Sequence, residues 1–169
     1  MKKMVVLIAA LNCSAALAFD GYEGIKFSYT QKDVESQGYV CKPPTKSTEE
    51  FLAKCRHLSK RGEVFGYPAE NFEVTVGKEG RVESIRMELV GRFDIGEYLK
   101  LGQKIEYIFE KKNEAGSVRS SGNVLRDEWV ASNGSRAVLM LFYGVPGVMK
   151  TTTSISFWSP RVINGKQKK

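Results

Sequence analysis

The sequence predicts an α+β protein in which an antiparallel sheet packs against one long central helix, with two short helices near the N-terminus. The long helix is indicated between Asp94 and Lys112, because apolar residues recur there at the spacing of one helical face. These residues are Ile95, Tyr98, Leu99, Ile105, Ile108 and Phe109. The sheet is indicated by segments on both sides of this helix in which apolar and polar residues alternate, as in strands with one buried face.

The first eighteen residues have the pattern of a secretory signal peptide. Two lysines precede an apolar run over residues 4–11, and small residues then lead to Ala16-Leu17-Ala18. This run is shorter than the roughly 20 apolar residues that a membrane helix requires, so we expect export and cleavage after Ala18. A lipoprotein would instead be modified at Cys13, but the residue before it is not the small one usual at such sites. We therefore expect a periplasmic or secreted bacterial protein.

Length and charge are those of one moderately basic domain. The chain has 169 residues and a formal net charge of +7, from 26 Lys and Arg against 19 Asp and Glu. Removal of the 18-residue leader, which contains two lysines, leaves 151 residues and a charge of +5. That length suffices for one domain with a core, at residues 19–160. Four positive charges fall in residues 161–169 and predict a basic, disordered tail.

Two short helices are predicted before the sheet. Residues 25–29 alternate as in a strand, after which Thr30 can cap a helix, Asp33 stands at its third position and Gly38 can end it. A second short helix is predicted over residues 47–55, because two glutamates make its first turn acidic, as the helix dipole favours.

The strands are predicted as a hairpin before the long helix and a three-stranded meander after it. The hairpin covers residues 72–76 and 85–89, and the meander covers residues 124–132, 137–143 and 153–157. Asn133-Gly134 predicts a two-residue turn, since this dipeptide readily takes the positive φ that both turn residues need. Residues 137–143 are apolar throughout, which fits a strand covered on both faces.

Cys41 and Cys55 are the two cysteines left after removal of the leader, and exported proteins fold in an oxidising compartment. We expect them to form a disulfide, which would stabilise the fold by roughly 3 kcal/mol in the chain-entropy model. A redox or metal site is the alternative. It lacks C-x-x-C spacing, and His57 would be its single further ligand.

No catalytic motif stands out in the sequence. Phosphate loops, zinc helices, dinucleotide fingerprints and nucleophile elbows are not found, and the sole histidine, His57, is a poorly supported base. Asp127 and Glu128 beside Trp129 suggest a glycoside hydrolase, but adjacent strand residues point to opposite faces and cannot flank one bond. We expect no catalytic residue, metal or cofactor, and keep a hydrolase of unknown type as the third alternative.

Aromatic residues offer a binding surface, since Tyr, Trp and Arg dominate the energetics of protein interfaces. Phe65-Gly66-Tyr67-Pro68 is predicted as a loop whose Gly and Pro hold two rings outward. Trp129 on a sheet face is the second predicted position. Basic residues are scattered among the acids of an exported chain, so we do not expect nucleic-acid binding.

The segments Gly24-Ile25-Lys26-Phe27, Thr30-Gln31-Lys32-Asp33-Val34 and Gly38-Tyr39-Val40-Cys41 resemble the first helix and its exit in small exported α+β proteins. These are of the type of the β-lactamase inhibitor protein and the small lipoprotein of the outer-membrane β-barrel assembly machine. The resemblance implies a non-enzymatic protein-binding module, such as an inhibitor, an immunity factor or an envelope-assembly accessory. The alternative is a binder of a small or anionic ligand in a pocket between the long helix and the sheet.

Overall fold

A computed structural model describes residues 19–45, 50–91, 93–109, 111–112, 118–121, 123–144 and 151–160. The expected leader at 1–18 and the expected tail at 161–169 lie outside these described residues. The described chain forms, in order, β1 (Gly21–Tyr22), β2 (Ile25–Lys26), α1 (Gln31–Ser36), β3 (Val40–Lys42), β4 (Phe51–Arg56), β5 (Gly62–Val64), β6 (Tyr67–Gly77), β7 (Val82–Leu89), α2 (Ile95–Phe109), β8 (Lys111–Lys112), β9 (Val118–Ser121), β10 (Val124–Val130), β11 (Arg136–Phe142) and β12 (Thr152–Trp158).

The predicted α+β class is wrong, because the chain is mainly antiparallel sheet. Ten strands form one sheet in the order β3-β4-β6-β7-β12-β11-β10-β8, with β5 beside β6 and β9 beside β10. Strand β12 lies between β7 and β11, and Ile155 stands opposite both Met87 and Leu139. The last strand therefore joins the predicted hairpin and meander into a single sheet, and α2 packs on one part of it, against β10 and β11.

The predicted second helix is also wrong, since residues 51–56 form strand β4. Ala53 and Cys55 are buried while Lys54 and Arg56 are exposed, which is the period-two pattern of a strand with one covered face. Cross-strand pairing with β3 and β6 therefore overrides the acidic start that favoured a helix. Residues 46–49, which include most of that start, lie outside the described part of the chain.

Helix α1 begins as the sequence predicts. The Thr30 hydroxyl accepts from the Asp33 N–H, and the Asp33 carboxylate accepts from the Thr30 N–H at 2.8 Å, which is a capping box. Gly38 follows the helix with a φ of +86°, a conformation that glycine adopts without steric cost. The short helix then leads directly into β3.

The core lies on one face of the sheet, beneath α2 and the N-terminal segment. Val74, Ile85 and Phe157 line this face and are fully buried. The Phe19 ring packs on the Phe109 and Phe157 rings, with centroids 4.7 and 4.9 Å apart. The first described residues thus complete the core that α2 leaves partly uncovered.

The turn between β10 and β11 differs from the predicted two-residue hairpin. Gly134 alone takes a positive φ, +83°, and its N–H donates to the Ala131 carbonyl at 2.9 Å. Asn133 instead uses its side chain, which accepts from the Ser135 N–H at 3.0 Å and donates to the Phe19 carbonyl at 3.1 Å. These contacts describe a type I turn with a glycine bulge, and they tie the turn to the N-terminal segment.

Cys41 and Cys55 stand opposite each other in the β3–β4 pair, with their sulfurs at bonding distance. A disulfide at this point is compatible with an exported protein. Neither helix of the described chain has the length and apolar character needed to cross a bilayer.

Candidate functional site

Phe65 and Gly66 form the two-residue turn between β5 and β6, with Val64 paired to Tyr67. Their φ values are +53° and +87°, as a type I′ turn requires. A positive φ is unfavourable for a bulky residue, so the Phe65 backbone is strained. Its ring packs near Tyr22 and Phe157, with centroids 6.0 and 6.3 Å away. Phe65 is therefore half-buried, and the expected outward orientation of its ring is wrong.

Tyr67 is tied to α2 by a polar network. Its hydroxyl donates to Glu97 at 2.9 Å, and Lys100 donates to the same carboxylate at 2.8 Å. Burial raises the pKa of Tyr67, and the hydrogen bond to Glu97 raises it further. The hydrogen bonds from Lys100 and Tyr67 lower the pKa of Glu97, so this carboxylate is held in its charged form.

Lys104 is the second link between the turn and the helix. Its ammonium donates to the Phe65 carbonyl at 2.7 Å and lies 4.9 Å from the centroid of the Tyr67 ring. A cation over an aromatic face is favourable, and the charged hydrogen bond fixes the strained turn against α2. The β5–β6 turn is thus held at one position relative to the helix.

A groove of about 680 Å³ lies between this turn and α2, and we call it the helix groove. It is lined by Phe65, Tyr67, Lys100, Gln103, Lys104, Tyr107 and Ile108. Tyr107 is 90% exposed, and Ile108 beside it is also exposed. Two of the three predicted binding residues therefore line the groove, together with helix residues that sequence reasoning missed.

The solvent-exposed side of α2 carries more apolar residues than is usual for a helix that packs on a sheet. Tyr98, Leu101, Gly102, Ile105 and Phe109 form its buried stripe. Ile95 and Leu99, which the sequence assigns to that stripe, are each 55% exposed, and Ile108 is exposed as well. The stripe is narrower than predicted, because α2 rests on β10 and β11 and leaves the flanking positions in solvent.

Trp129 is wrong as a surface binding residue, because only 1% of it is exposed. It stands opposite Ala137 on the core face of β10, and its ring lies below Gly102 of α2. A Cβ added at Gly102 would come within 3.3 Å of the Trp129 ring, so the glycine allows the close approach of helix and sheet.

The adjacent carboxylates Asp127 and Glu128 point to opposite faces, as the sequence predicts. Asp127 lies on the core face, where it interacts with the buried Tyr98. Glu128 lies on the other face, where it forms ion pairs with Arg126 and Arg136. The two acids are separated by the sheet and cannot act on the same bond.

His57 and the cysteines do not form a metal site. The His57 ring accepts a hydrogen bond from the Ser59 N–H at 3.4 Å and packs edge-on against the Tyr39 ring. Within the described ranges, no group of three or more His, Cys, Asp or Glu is placed to hold a metal ion.

A second cleft, of about 1010 Å³, lies at the N-terminal end of α2. It is lined by Val90, Gly91, Phe93, Asp94, Ile95, Gly96, Tyr143, Thr151 and Thr153. Thr153 is 2% exposed, and neither its hydroxyl nor that of Tyr143 has a hydrogen-bond partner among the described residues. An apolar cleft with two unsatisfied hydroxyls differs in chemistry from the helix groove.

Comparison of the chain with protein-family models, with curated proteins and with solved structures finds no match.

Proposed function

We propose that this protein is an exported, non-enzymatic protein-binding module whose interface is the helix groove with the outward side of α2. The observation that carries this proposal is the set of exposed apolar side chains on one helix. Ile95, Leu99, Tyr107 and Ile108 are all exposed, although a helix packed on a sheet usually presents polar residues to solvent. Tyr107 and Ile108 are adjacent and both line the helix groove, and neighbouring exposed apolar residues mark a site of interaction.

The composition of the groove matches the residues that dominate binding energies. Tyr107 is a large amphipathic ring with few rotatable bonds, which makes it a suitable anchor for a partner. Lys100 and Lys104 lie at the groove and supply a polar edge. An inhibitor, an immunity factor or an assembly accessory would use such a surface.

The groove is also preorganised. Lys104 and Glu97 hold the β5–β6 turn against α2 through hydrogen bonds at 2.7 and 2.9 Å. A surface that is already fixed loses less side-chain and loop entropy on binding, so more of the contact energy appears as affinity.

The test combines a groove variant with a matched control. The double variant Tyr107→Ala/Ile108→Ser removes two exposed side chains, so its stability should change by less than about 1 kcal/mol. Met140→Ser is the control, because Met140 is also apolar and exposed but lies on β11, on the sheet face turned away from α2. Each protein is immobilised, and envelope or culture extract is passed over it for quantitative mass spectrometry.

A specific partner should be retained by the wild-type protein and by Met140→Ser. Its affinity for the double variant, measured with purified components, should fall by roughly 2 kcal/mol, about thirtyfold. Equal retention by all three proteins would remove the helix groove as the interface.

A second candidate function is binding of a small neutral molecule in the cleft at the start of α2. The unsatisfied hydroxyl of the buried Thr153 supports it, because an unpaired polar group in an apolar site is costly and a ligand can supply its partner. The Asp94 carboxylate lines the same cleft and disfavours an anion.

The neutral dye N-phenyl-1-naphthylamine tests this second function. Its fluorescence should rise on titration with the protein, and Thr153→Val, which replaces the hydroxyl by a methyl group, should weaken binding severalfold without lowering stability. No rise in fluorescence, or identical titrations for the two proteins, would contradict it.

A further inference from the structure

The outer face of the β3–β4 pair carries a second, unrelated surface. Val40 stands opposite Arg56 and Lys42 opposite Lys54, on the face turned away from the Cys41–Cys55 bond. We call these four residues, together with Leu58 on the following loop, the basic corner. They line a groove of about 430 Å³ together with Pro43, Pro44, Thr45 and Phe51.

The charge of the basic corner is unbalanced. Lys42 and Lys54 are directly opposite each other across the strands, an arrangement of like charges that destabilises a sheet. Arg56 pairs with Glu73 at 2.8 Å, whereas within the described chain neither lysine has an acidic partner. Binding of an anion would relieve this repulsion.

Exposed aliphatic side chains also lie on the β3–β4 pair and on the loop that follows it. Leu58 is 88% exposed and lies between Arg56 and Lys60 in the sequence, and Val40 and Leu52 are about half exposed. Basic residues around a projecting aliphatic side chain are the features by which proteins attach to the surface of anionic membranes. The lysines meet the lipid headgroups, while the aliphatic side chain enters the acyl boundary.

We propose that the basic corner docks this protein on bilayers that contain anionic phospholipid. The alternative ligand is an acidic peptide that adds a strand beside β3. It is disfavoured because β3 has only three residues and is followed by Pro43-Pro44, and both features block pairing at a sheet edge. Leu58 also projects singly from a loop, and a bilayer accepts such a side chain without a matching pocket.

The basic corner is separate from the helix groove. Strands β3 and β4 lie at one edge of the sheet, while α2 covers β10 and β11 near the other edge. The corner faces away from the core, and α2 lies on the core face. The protein can therefore bind a partner through α2 while it is docked on lipid. The two proposals are also independent, because a negative result for one surface leaves the other unaffected.

Sedimentation with vesicles tests the proposal on the chain from Phe19 to Lys169. Vesicles of phosphatidylglycerol and phosphatidylethanolamine should bind the protein, and vesicles of phosphatidylcholine should not. Each basic residue near an anionic surface contributes about a fivefold factor, so Lys42→Gln/Lys54→Gln should weaken binding by roughly 25-fold. Leu58→Ser should weaken it severalfold at unchanged charge.

The matched control is Lys26→Gln/Lys78→Gln, which removes two exposed lysines on β2 and on the turn after β6. It should retain binding, because its charges lie outside the basic corner. An equal loss of vesicle binding in this control would show that binding depends only on the net charge of the protein, and would overturn the proposal. Full binding by Lys42→Gln/Lys54→Gln or by Leu58→Ser, or displacement of vesicles by millimolar inorganic phosphate, would overturn it as well.

Discussion

Reduction of the Cys41–Cys55 bond should lower the free energy of unfolding by about 3 kcal/mol. The bond joins residues 14 apart in sequence, which closes a loop of about 15 residues, and the chain-entropy model gives this value for such a loop. Strand β3 adds to the effect, because it is an edge strand that pairs with β4 over three residues. Without the bond, β3 is held to the sheet by its three residue pairs with β4.

The expected fall in melting temperature follows from this value. For a domain of this size, 1 kcal/mol corresponds to about 2–4 °C, so reduction should lower the midpoint by roughly 6–12 °C. Reduction should also weaken vesicle binding, since β3 positions Lys42 opposite Lys54.

The assay is urea unfolding with and without a phosphine reductant. Cys41→Ser/Cys55→Ser is the control, because the reductant should not alter its unfolding. A loss below about 1 kcal/mol in the wild-type protein would refute the loop-closure argument, and an equal loss in the control would show that the reductant acts elsewhere. Alkylation of the untreated protein would show that the bond had not formed.

Three further predictions concern the core and its turns. Trp129→Ala should cost about 3–5 kcal/mol in urea unfolding, because the ring is fully buried beneath α2, and a loss below 1 kcal/mol would contradict that packing. Gly134→Ala should cost roughly 1–2 kcal/mol through its φ of +83°, and an unchanged melting temperature would contradict the assigned turn. Burial raises the pKa of Tyr39 to about 12 from the ordinary 10, so its contribution to stability is complete below pH 10 and is lost as the pH rises from 10 towards 12. Tyr39→Phe should reduce this alkaline loss and leave stability at pH 7 nearly unchanged, since the hydroxyl has no hydrogen-bond partner in the described residues; a large loss at pH 7 would contradict this.

Local signals in the sequence were sufficient where neighbouring residues decide the outcome. The Thr30 capping box, the helix over most of Asp94 to Lys112 and the pairing of the two cysteines are such cases. Asp127 and Glu128 also lie on opposite faces, because alternation is a property of the strand itself.

The candidate site was predicted in part. Phe65 and Tyr67 do line a groove, but its exposed members on α2 were not predicted: Ile108 was assigned to the buried stripe, and Tyr107 was assigned to neither face. The periodicity of a sequence shows only how its apolar residues are spaced. It does not show whether another element packs over them or whether they are exposed to solvent.

By itself, the sequence determined caps, strand alternation and the disulfide, because these depend on residues close in the chain or on residue chemistry. The tertiary structure alone decided that residues 51–56 form a strand, that Trp129 is buried and that Leu99 is exposed. Each of these outcomes depends on whether a distant element packs against the residue. Strand β6 pairs with β4, α2 packs over Trp129, and no element covers Leu99 in the described chain. Contacts between elements far apart in sequence set that choice, and they override local propensity because burial of a whole face outweighs the preference of single residues.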